Sequence, residues 1–264
     1  MIKNLNVCLY PMTIAWGKKE ENIKNVERAC EIIHPDTDLL VLPETFSTGF
    51  PAGYTKEEVR VLAERNTEST IDFIKYLAHK FNMAIAGTFV ANSGGNLYNR
   101  AFFIEPSGEE SFADKRHLFT MAGEDKIFSH GYDRLKVRFR GWEIAMVVCY
   151  DIRFPVWNRN VKNEYDVLIA TANWPKVRVD AWNKLLYARA IENEAYVLGV
   201  NCSGSDHKGF EYDGSSMAID FKGKNISVSS PDSPFIYASL SKEKLDSFRE
   251  KFPAYNDADP FKLL

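Results

Sequence analysis

Residues 38–44 read DLLVLPE, a continuous apolar run that ends on a proline and a glutamate. Strands buried on both faces of a sheet read in this way, without the alternation of a half-buried strand. Residues 166–174 read DVLIATANW and repeat this character in the second half of the chain. Each run is followed by a helical pattern and a second apolar run, at 83–90 and at 195–201. The sequence therefore predicts an α/β protein built from two pseudo-repeated βα halves.

The other predicted elements surround these runs. Further strands are predicted at residues 5–10, 100–105, 110–113, 142–149, 215–220 and 225–230, the last two as a hairpin. Helices are predicted at 23–33, 71–81 (with Ser69 and Asp72 as a capping box), 156–163, 179–194 and from Lys242 onward. Because no linker rich in Pro, Gly or Ser separates the halves, we expect residues 1–264 to form a single domain. Residues 242–264 are then a C-terminal helix and an irregular arm.

Composition narrows the class of function. A formal charge of −3 gives no basic surface for nucleic acid. No apolar run approaches the roughly 18 residues that a membrane span needs, and the N-terminus lacks the pattern of a signal peptide. The four cysteines show no regular spacing, so no disulfide framework is indicated. These features predict a cytoplasmic protein with neither a nucleic-acid partner nor a membrane partner.

Cys149 is the candidate nucleophile. It ends the predicted strand WEIAMVVC (142–149) and precedes a turn and a helix, whose dipole would favour a thiolate. Most cysteines are small buried apolar residues, and that alternative stays open on position alone.

Glu44 and Lys115 are the candidate partners of this cysteine. Glu44 also follows a buried strand, and ligands of α/β sheets bind at the carboxyl ends of strands. A carboxylate shielded from water can take the thiol proton, although a helix cap or an ion pair would also explain Glu44. Lys115 lies in FADKRHLF (112–119), where its ammonium could stabilise an oxyanion. A solvated lysine is the alternative.

The sequence lacks the motifs of other catalytic chemistries. The sequence contains no C-x-x-C, H-x-H or H-E-x-x-H pattern, so no metal site is predicted. It also lacks a G-x-S-x-G elbow, a G-x-G-x-x-G fingerprint and a P-loop, which argues against a serine hydrolase and against nucleotide cofactors. Residues 205–207, Ser-Asp-His, are consecutive and cannot form a triad, so they are interpreted as a polar loop.

Three sequence blocks resemble the catalytic blocks of the nitrilase (carbon–nitrogen hydrolase) superfamily. They are LPETFSTGF (42–50), DKRHLF (114–119) and VVCYDIRFP (147–155), and they hold the glutamate, lysine and cysteine in the order of that family. Two later segments, ARAIENEAYVLGVN (188–201) and KFPAYNDADPF (251–261), look like the bacterial omega-amidase branch. The resemblance implies a four-layer αββα sandwich, a homodimer and hydrolysis without a cofactor.

The resemblance also implies roles for individual residues. Cys149 would attack the amide carbon, while Lys115 and the backbone N–H of Tyr150 would hold the oxyanion. Glu44 would protonate the departing ammonia and then activate water against the thioester. Glu124 would correspond to a second carboxylate, oriented towards Lys115. Other candidate residues for the substrate pocket are Phe50, Trp174 and Arg153, the last either for a substrate carboxylate or in an ion pair beside Asp151.

The branch implies a small-molecule amide as substrate, namely the omega-amide of a 2-oxo acid such as 2-oxoglutaramate or 2-oxosuccinamate. The residues alone indicate only a small acidic amide. A nitrile, an N-carbamoyl amino acid or a deaminated peptide amide would use the same chemistry. A non-enzymatic binding protein on the same fold is a further alternative, against which the intact set of Glu44, Lys115 and Cys149 argues.

Overall fold

The structure is a computed structural model that describes residues 4–51 and 53–262. Numbered along the chain, the strands in this part are β1 (Leu5–Leu9), β2 (Leu39–Val41), β3 (Ala84–Ser93), β4 (Asn96–Ile104), β5 (Glu110–Asp114), β6 (Leu135–Phe139), β7 (Trp142–Val148), β8 (Val167–Ala172), β9 (Tyr196–Asn201), β10 (Ser203–Ser205), β11 (Glu211–Asp213), β12 (Met217–Ile219), β13 (Val228–Ser229) and β14 (Ile236–Leu240).

The helices connect these strands. They are α1 (Lys19–Ile32), α2 (Lys56–Leu62), α3 (Ser69–Phe81), α4 (Glu124–Ile127), α5 (Pro155–Asn158), α6 (Val179–Asn193) and α7 (Lys242–Lys251). Short 3-10 turns occupy Thr120–Ala122, Cys149–Arg153, Val161–Asn163, Lys176–Arg178 and Ala254–Asp257. Within residues 4–51 and 53–262, none of the helices has the length and apolar character needed to cross a membrane.

In the described part of the chain, the seven-stranded sheet and the five-stranded sheet each place three parallel strands between antiparallel neighbours. In the first, β13-β14-β1-β2-β3-β4-β5, the strands β1, β2 and β3 run parallel between antiparallel β14 and β4. In the second, β12-β9-β8-β7-β6, the strands β7, β8 and β9 run parallel between antiparallel β6 and β12. The predicted pseudo-repeat of two βα halves is therefore confirmed.

The sheets pack face to face, with helices outside. Val41 and Phe103 of the first sheet share a buried cluster with Met146 and Ile169 of the second. The opposite face of the first sheet packs against α1 and α3, and that of the second packs against α6. This arrangement is the four-layer αββα sandwich that the resemblance implies. It brings the carboxyl ends of β2 and β7 to one region between the sheets.

One close contact between β9 and α6 gives a stability prediction. A Cβ added to Gly199 would lie 2.4 Å from the Cδ1 of Leu186, a fully buried side chain of α6. We expect Gly199→Ala to lower the free energy of unfolding by about 1–3 kcal/mol in urea titrations, because overpacked cores shift their backbone. In a Leu186→Ala background, the same substitution should cost less. An equal cost in both backgrounds would show that the contact is not the cause.

Several sequence predictions need correction. The strands β6 and β14 were not predicted. The capping box at Ser69 and Asp72 is wrong, because the N-cap is Glu68 and the Ser69 hydroxyl donates to Glu64 instead. The hairpin predicted at 215–230 forms only near its turn, where Ile219 and Asn225 make an antiparallel bridge and the N–H of Ile226 donates to the backbone oxygen of Ala218. Its second strand, β13, pairs with β14 and not with β12.

The helix predicted at 156–163 is also interrupted. It consists of α5 and a separate 3-10 turn, Val161–Asn163. Arg159, directly after α5, has an extended backbone at φ of −61° and ψ of +131°, and Lys162 within the second piece is left-handed at φ of +55°. A right-handed helix cannot continue through these conformations.

Candidate active site

The turn after β7 fixes the position of Cys149. Its φ is +46°, a left-handed conformation that is uncommon for a residue with a side chain and that clusters at functional sites. Asp151, two residues on, accepts hydrogen bonds from the backbone N–H of Val148 at 3.1 Å and from that of His117 at 2.8 Å. The Asp151 carboxylate thus ties the cysteine turn to the segment that carries Lys115.

The carboxylate of Glu44 is buried at the carboxyl end of β2. Its Oε1 accepts from the Asn99 side-chain amide at 2.7 Å and from Lys115 Nζ at 3.0 Å. Its Oε2 accepts from the backbone N–H of Asn173, which follows β8, at 2.9 Å. Donors from both halves of the chain therefore hold this carboxylate in one orientation.

Lys115 follows β5 and is only 2% exposed. Its Nζ lies 2.9 Å from each carboxylate oxygen of Glu124 and 3.0 Å from Glu44 Oε1. Burial by itself lowers the pKa of Lys115, but the charges of Glu124 and Glu44 outweigh it and raise the pKa. Lys115 is therefore a fixed cation in this site.

Glu124 begins α4 and lies behind Lys115. Besides the ammonium, its carboxylate accepts from the backbone N–H of Phe119 at 2.6 Å. Burial raises the pKa of Glu124, and the charge of Lys115 opposes that rise. Glu124 contacts Lys115 as the resemblance implies. In the described part of the chain, Glu124 is not among the residues that line the cavity.

The thiol of Cys149 lies beside the carboxylate of Glu44. Burial, followed by the negative charge of Glu44, raises its pKa well above the ordinary value, and Lys115 opposes this only in part. The raised pKa opposes the thiolate that a helix dipole would favour and fits the expectation that Glu44 takes the thiol proton. Cys149 itself opens a short 3-10 turn.

A cavity of about 730 Å³ opens onto these groups. Its lining includes Glu44, Lys115 and Cys149 together with the predicted pocket residues Phe50, Tyr150, Arg153 and Trp174. The residues that were not predicted are Phe119, Met121, Ala122, Asn173, Pro175, Arg178, Asp206, Lys208, Phe210 and Tyr212. Among the residues that the structure describes, no three His, Cys, Asp or Glu side chains are grouped as a metal site would require.

Arg153 lies on the wall of this cavity. Its guanidinium carbon is 4.8 Å from the centroid of the Trp174 ring. The nearby Asp151 pairs with the side chain of His117, at 2.8 Å from Nδ1, and not with Arg153. The alternative of a structural ion pair between Arg153 and Asp151 is therefore wrong, and the guanidinium is available to an anionic ligand.

The residues that orient the site were missed from the sequence. Asn99 lies in the middle of β4 and Asn173 follows β8, yet both contact Glu44. Asp206 accepts from the hydroxyl of Tyr212 at 3.1 Å within the hairpin of β10 and β11. Only Asn173, placed after a buried strand beside Trp174, had a local signal that could have identified it.

Comparison with known families identifies the chain. The sequence profile described as carbon–nitrogen hydrolase matches residues 6–250. The chain belongs to the carbon–nitrogen hydrolase family.

Relatives of this carbon–nitrogen hydrolase include named enzymes of similar length. It is 40% identical to omega-amidase YafV of Escherichia coli K12 over 98% of each chain, and 38% identical to that of Yersinia enterocolitica over the full length of both. It is 32% identical to the 2-oxoglutaramate amidase of Bacillus subtilis, covering 92% of this chain and 93% of that protein. The predicted omega-amidase branch is confirmed, and the chain is an amide-hydrolysing enzyme.

Solved structures show the same fold. A CN-hydrolase superfamily protein from Xanthomonas campestris, with an arsenic adduct in its active site, superposes with a TM-score of 0.92 at 33% identity over 99% of both chains. Nit3 of Saccharomyces cerevisiae superposes with a TM-score of 0.82 at 24% identity over 95% of both chains. The second of these similarities concerns the fold alone.

Proposed function

We propose that this enzyme releases ammonia from the omega-amide of small 2-oxo acids, such as 2-oxoglutaramate and 2-oxosuccinamate, through a thioester on Cys149 and without a cofactor. One observation carries the proposal: Glu44, Lys115 and Cys149 face one cavity that also presents cationic side chains. The relatives named omega-amidase and 2-oxoglutaramate amidase support this substrate class.

The first half of the reaction forms the thioester. Glu44 takes the proton from the Cys149 thiol as the sulphur attacks the amide carbon. Lys115 and the backbone N–H of Tyr150 stabilise the oxyanion, since the first N–H groups of a helical turn have no partner within it. Glu44 then gives the proton to the leaving nitrogen, the C–N bond breaks and ammonia departs.

The second half of the reaction uses water. Glu44 removes a proton from a water molecule as its oxygen attacks the thioester carbon. The second oxyanion forms in the same place as the first, so the same donors stabilise it. The C–S bond then breaks, the proton returns to the sulphur of Cys149, and the free acid leaves. Glu124 contributes by holding Lys115 in position.

The substrate proposal is tested with a panel of compounds. Purified enzyme is supplied with 2-oxoglutaramate, 2-oxosuccinamate, a small nitrile, an N-carbamoyl amino acid and a deaminated peptide amide, and ammonia is measured. We expect the highest kcat/KM with the two 2-oxo acid amides. A clear preference for one of the other compounds, or no ammonia from 2-oxoglutaramate, would refute the proposed substrate class.

Arg153 is the proposed partner of the substrate carboxylate. We expect Arg153→Met to raise the KM for 2-oxoglutaramate by roughly 10- to 100-fold in steady-state assays, because a charge-assisted hydrogen bond is lost. Turnover of a neutral amide of similar length serves as the control and should change little. Equal losses on both substrates would show that Arg153 does not recognise the carboxylate.

The proposal includes a single domain over residues 1–264 and a homodimer in the cytoplasm. The buried cluster between the two sheets supports the single domain, because both halves contribute to it. Exposed apolar side chains at Val177, in the 3-10 turn before α6, and at Ile191, near the end of α6, support an association through this face.

A further inference from the structure

Asn99 lies between the two buried carboxylates of the site. Its side chain is fully buried, and its Nδ2 is 2.7 Å from Glu44 Oε1 and 3.5 Å from Glu124 Oε1. Turning the amide over would place its oxygen against both carboxylates. The negative charges therefore fix the amide with its nitrogen facing them.

This orientation leaves the other end of the amide unsatisfied. The Oδ1 of Asn99 is buried and accepts no hydrogen bond from any residue that the structure describes. A buried acceptor without a donor is costly, and such groups in folded proteins call for a specific explanation. A leucine of similar shape would fill the space without that cost. The hydrogen bonds that its nitrogen donates, and not packing, therefore explain why an amide side chain lies at this position.

The donors around Glu44 divide unequally between its two oxygens. Each carboxylate oxygen offers about two lone pairs. Both lone pairs of Glu44 Oε1 accept hydrogen bonds, from Asn99 Nδ2 at 2.7 Å and from Lys115 Nζ at 3.0 Å. Oε2 receives the backbone N–H of Asn173 at 2.9 Å, which leaves it a lone pair for the proton of Cys149.

We propose that Asn99 is a positioning residue that occupies Oε1 of Glu44, holds this carboxylate in one orientation, and directs the travelling proton to Oε2. The inference rests on the proposed role of Glu44 as the base. The proton moves from the sulphur of Cys149 to Oε2 and then to the leaving nitrogen, so no other reactant is needed. The backbone oxygen of Asn99 also accepts from the N–H of Lys115 at 2.9 Å, which holds the lysine segment beside the same carboxylate.

The test replaces Asn99 with leucine, which keeps the shape and removes the donor. A carboxylate that accepts one fewer hydrogen bond holds a proton more readily. We therefore expect the acidic limb of the kcat/KM profile with 2-oxoglutaramate to move up by about one pH unit. At neutral pH, kcat should fall roughly 10- to 100-fold while KM changes much less. Alkylation of Cys149 by iodoacetamide without substrate should show the same shift.

Asn160→Ala is the matched control. Asn160 is 4% exposed, and its amide donates to the backbone oxygens of Tyr165, in the loop before β8, and of Asn193, the last residue of α6. This variant should lower the Tm but keep the wild-type acidic limb in both assays. If Asn99→Leu is not recovered folded, Asn99→Ala is measured with the same expected shift.

The role of Asn99 and the proposed substrate class are tested by two different results. A folded Asn99 variant with the wild-type acidic limb and kcat would overturn the positioning role. Failure of the wild-type enzyme to release ammonia from 2-oxoglutaramate would refute the proposed substrate, while the alkylation profiles would still decide the role of Asn99. A Cys149→Ala sample gives the background labelling from the other cysteines.

Discussion

Ammonia release from 2-oxoglutaramate is expected to fall by about 10⁴-fold or more when Cys149 is replaced by alanine, because the thioester can no longer form. Alanine keeps the Cβ, so the left-handed turn at φ of +46° carries the same backbone cost in the variant. The measurement is the steady-state rate per folded enzyme, with the Tm compared to show that the fold is retained. Water attack assisted by Glu44 and Lys115 would account for any residual rate.

Cys30→Ala is the matched control for this prediction. Cys30 is buried in α1 among the residues that cover the outer face of the first sheet, away from the cavity lining. Its replacement makes the same change of cysteine to alanine at a different position. The rate of ammonia release should stay close to the wild-type value. If Cys149→Ala kept the wild-type rate, Cys149 would not be the nucleophile and the two-step mechanism would fail.

Lys115→Met is expected to impair both folding and turnover. Its ammonium is the cation between two buried carboxylates, at 3.0 Å from Glu44 and 2.9 Å from Glu124. Removing one member of a buried ionic set leaves uncompensated charge, so we expect the free energy of unfolding to fall by about 3–5 kcal/mol in denaturant titrations. Loss of the oxyanion donor should lower kcat by roughly 10²- to 10³-fold.

Two further variants separate these effects. In Lys115→Met with Glu124→Gln, one buried charge fewer is left unpaired, so part of the stability should return while the rate stays low. Lys184→Met removes a lysine from an exposed pair with Asp180 at 2.8 Å and should change stability by no more than about 1 kcal/mol. Wild-type stability for the Lys115→Met variant would contradict the ionic arrangement described above.

The sequence predicts the parts of the fold that are buried on both sides. The continuous apolar runs at 38–44 and 166–174 indicate β2 and β8, because a strand covered on two faces has no solvent-facing side on which polar residues would alternate. The strands β6 and β14 escaped detection because they flank the parallel core with mixed buried and exposed residues. Their place in the sheets depends on partners far along the chain, such as the pairing of Leu5 with Leu240.

The sequence likewise predicts only some residues of the candidate site. Glu44, Lys115 and Cys149 could be singled out because each lies in a motif or at a strand end. Asn99 could not, since its role depends on a side-chain contact with a residue 55 positions away. The pKa of Cys149 depends on the same kind of contact. A helix dipole can be expected from local sequence, whereas the distance between the Glu44 carboxylate and the sulphur is set by the packing of two sheets.

The reacting groups are divided between the two sheets. This division limits which substitutions between the sheets the protein can accept in evolution. Glu44 and Lys115 follow strands of the first sheet, whereas Cys149 follows a strand of the second. A substitution between the sheets that slides them by about 1 Å can cost on the order of 10²-fold in rate while the chain still folds. Changes in the buried cluster that includes Val41 and Met146 would therefore be removed by selection on turnover before selection on folding detects them.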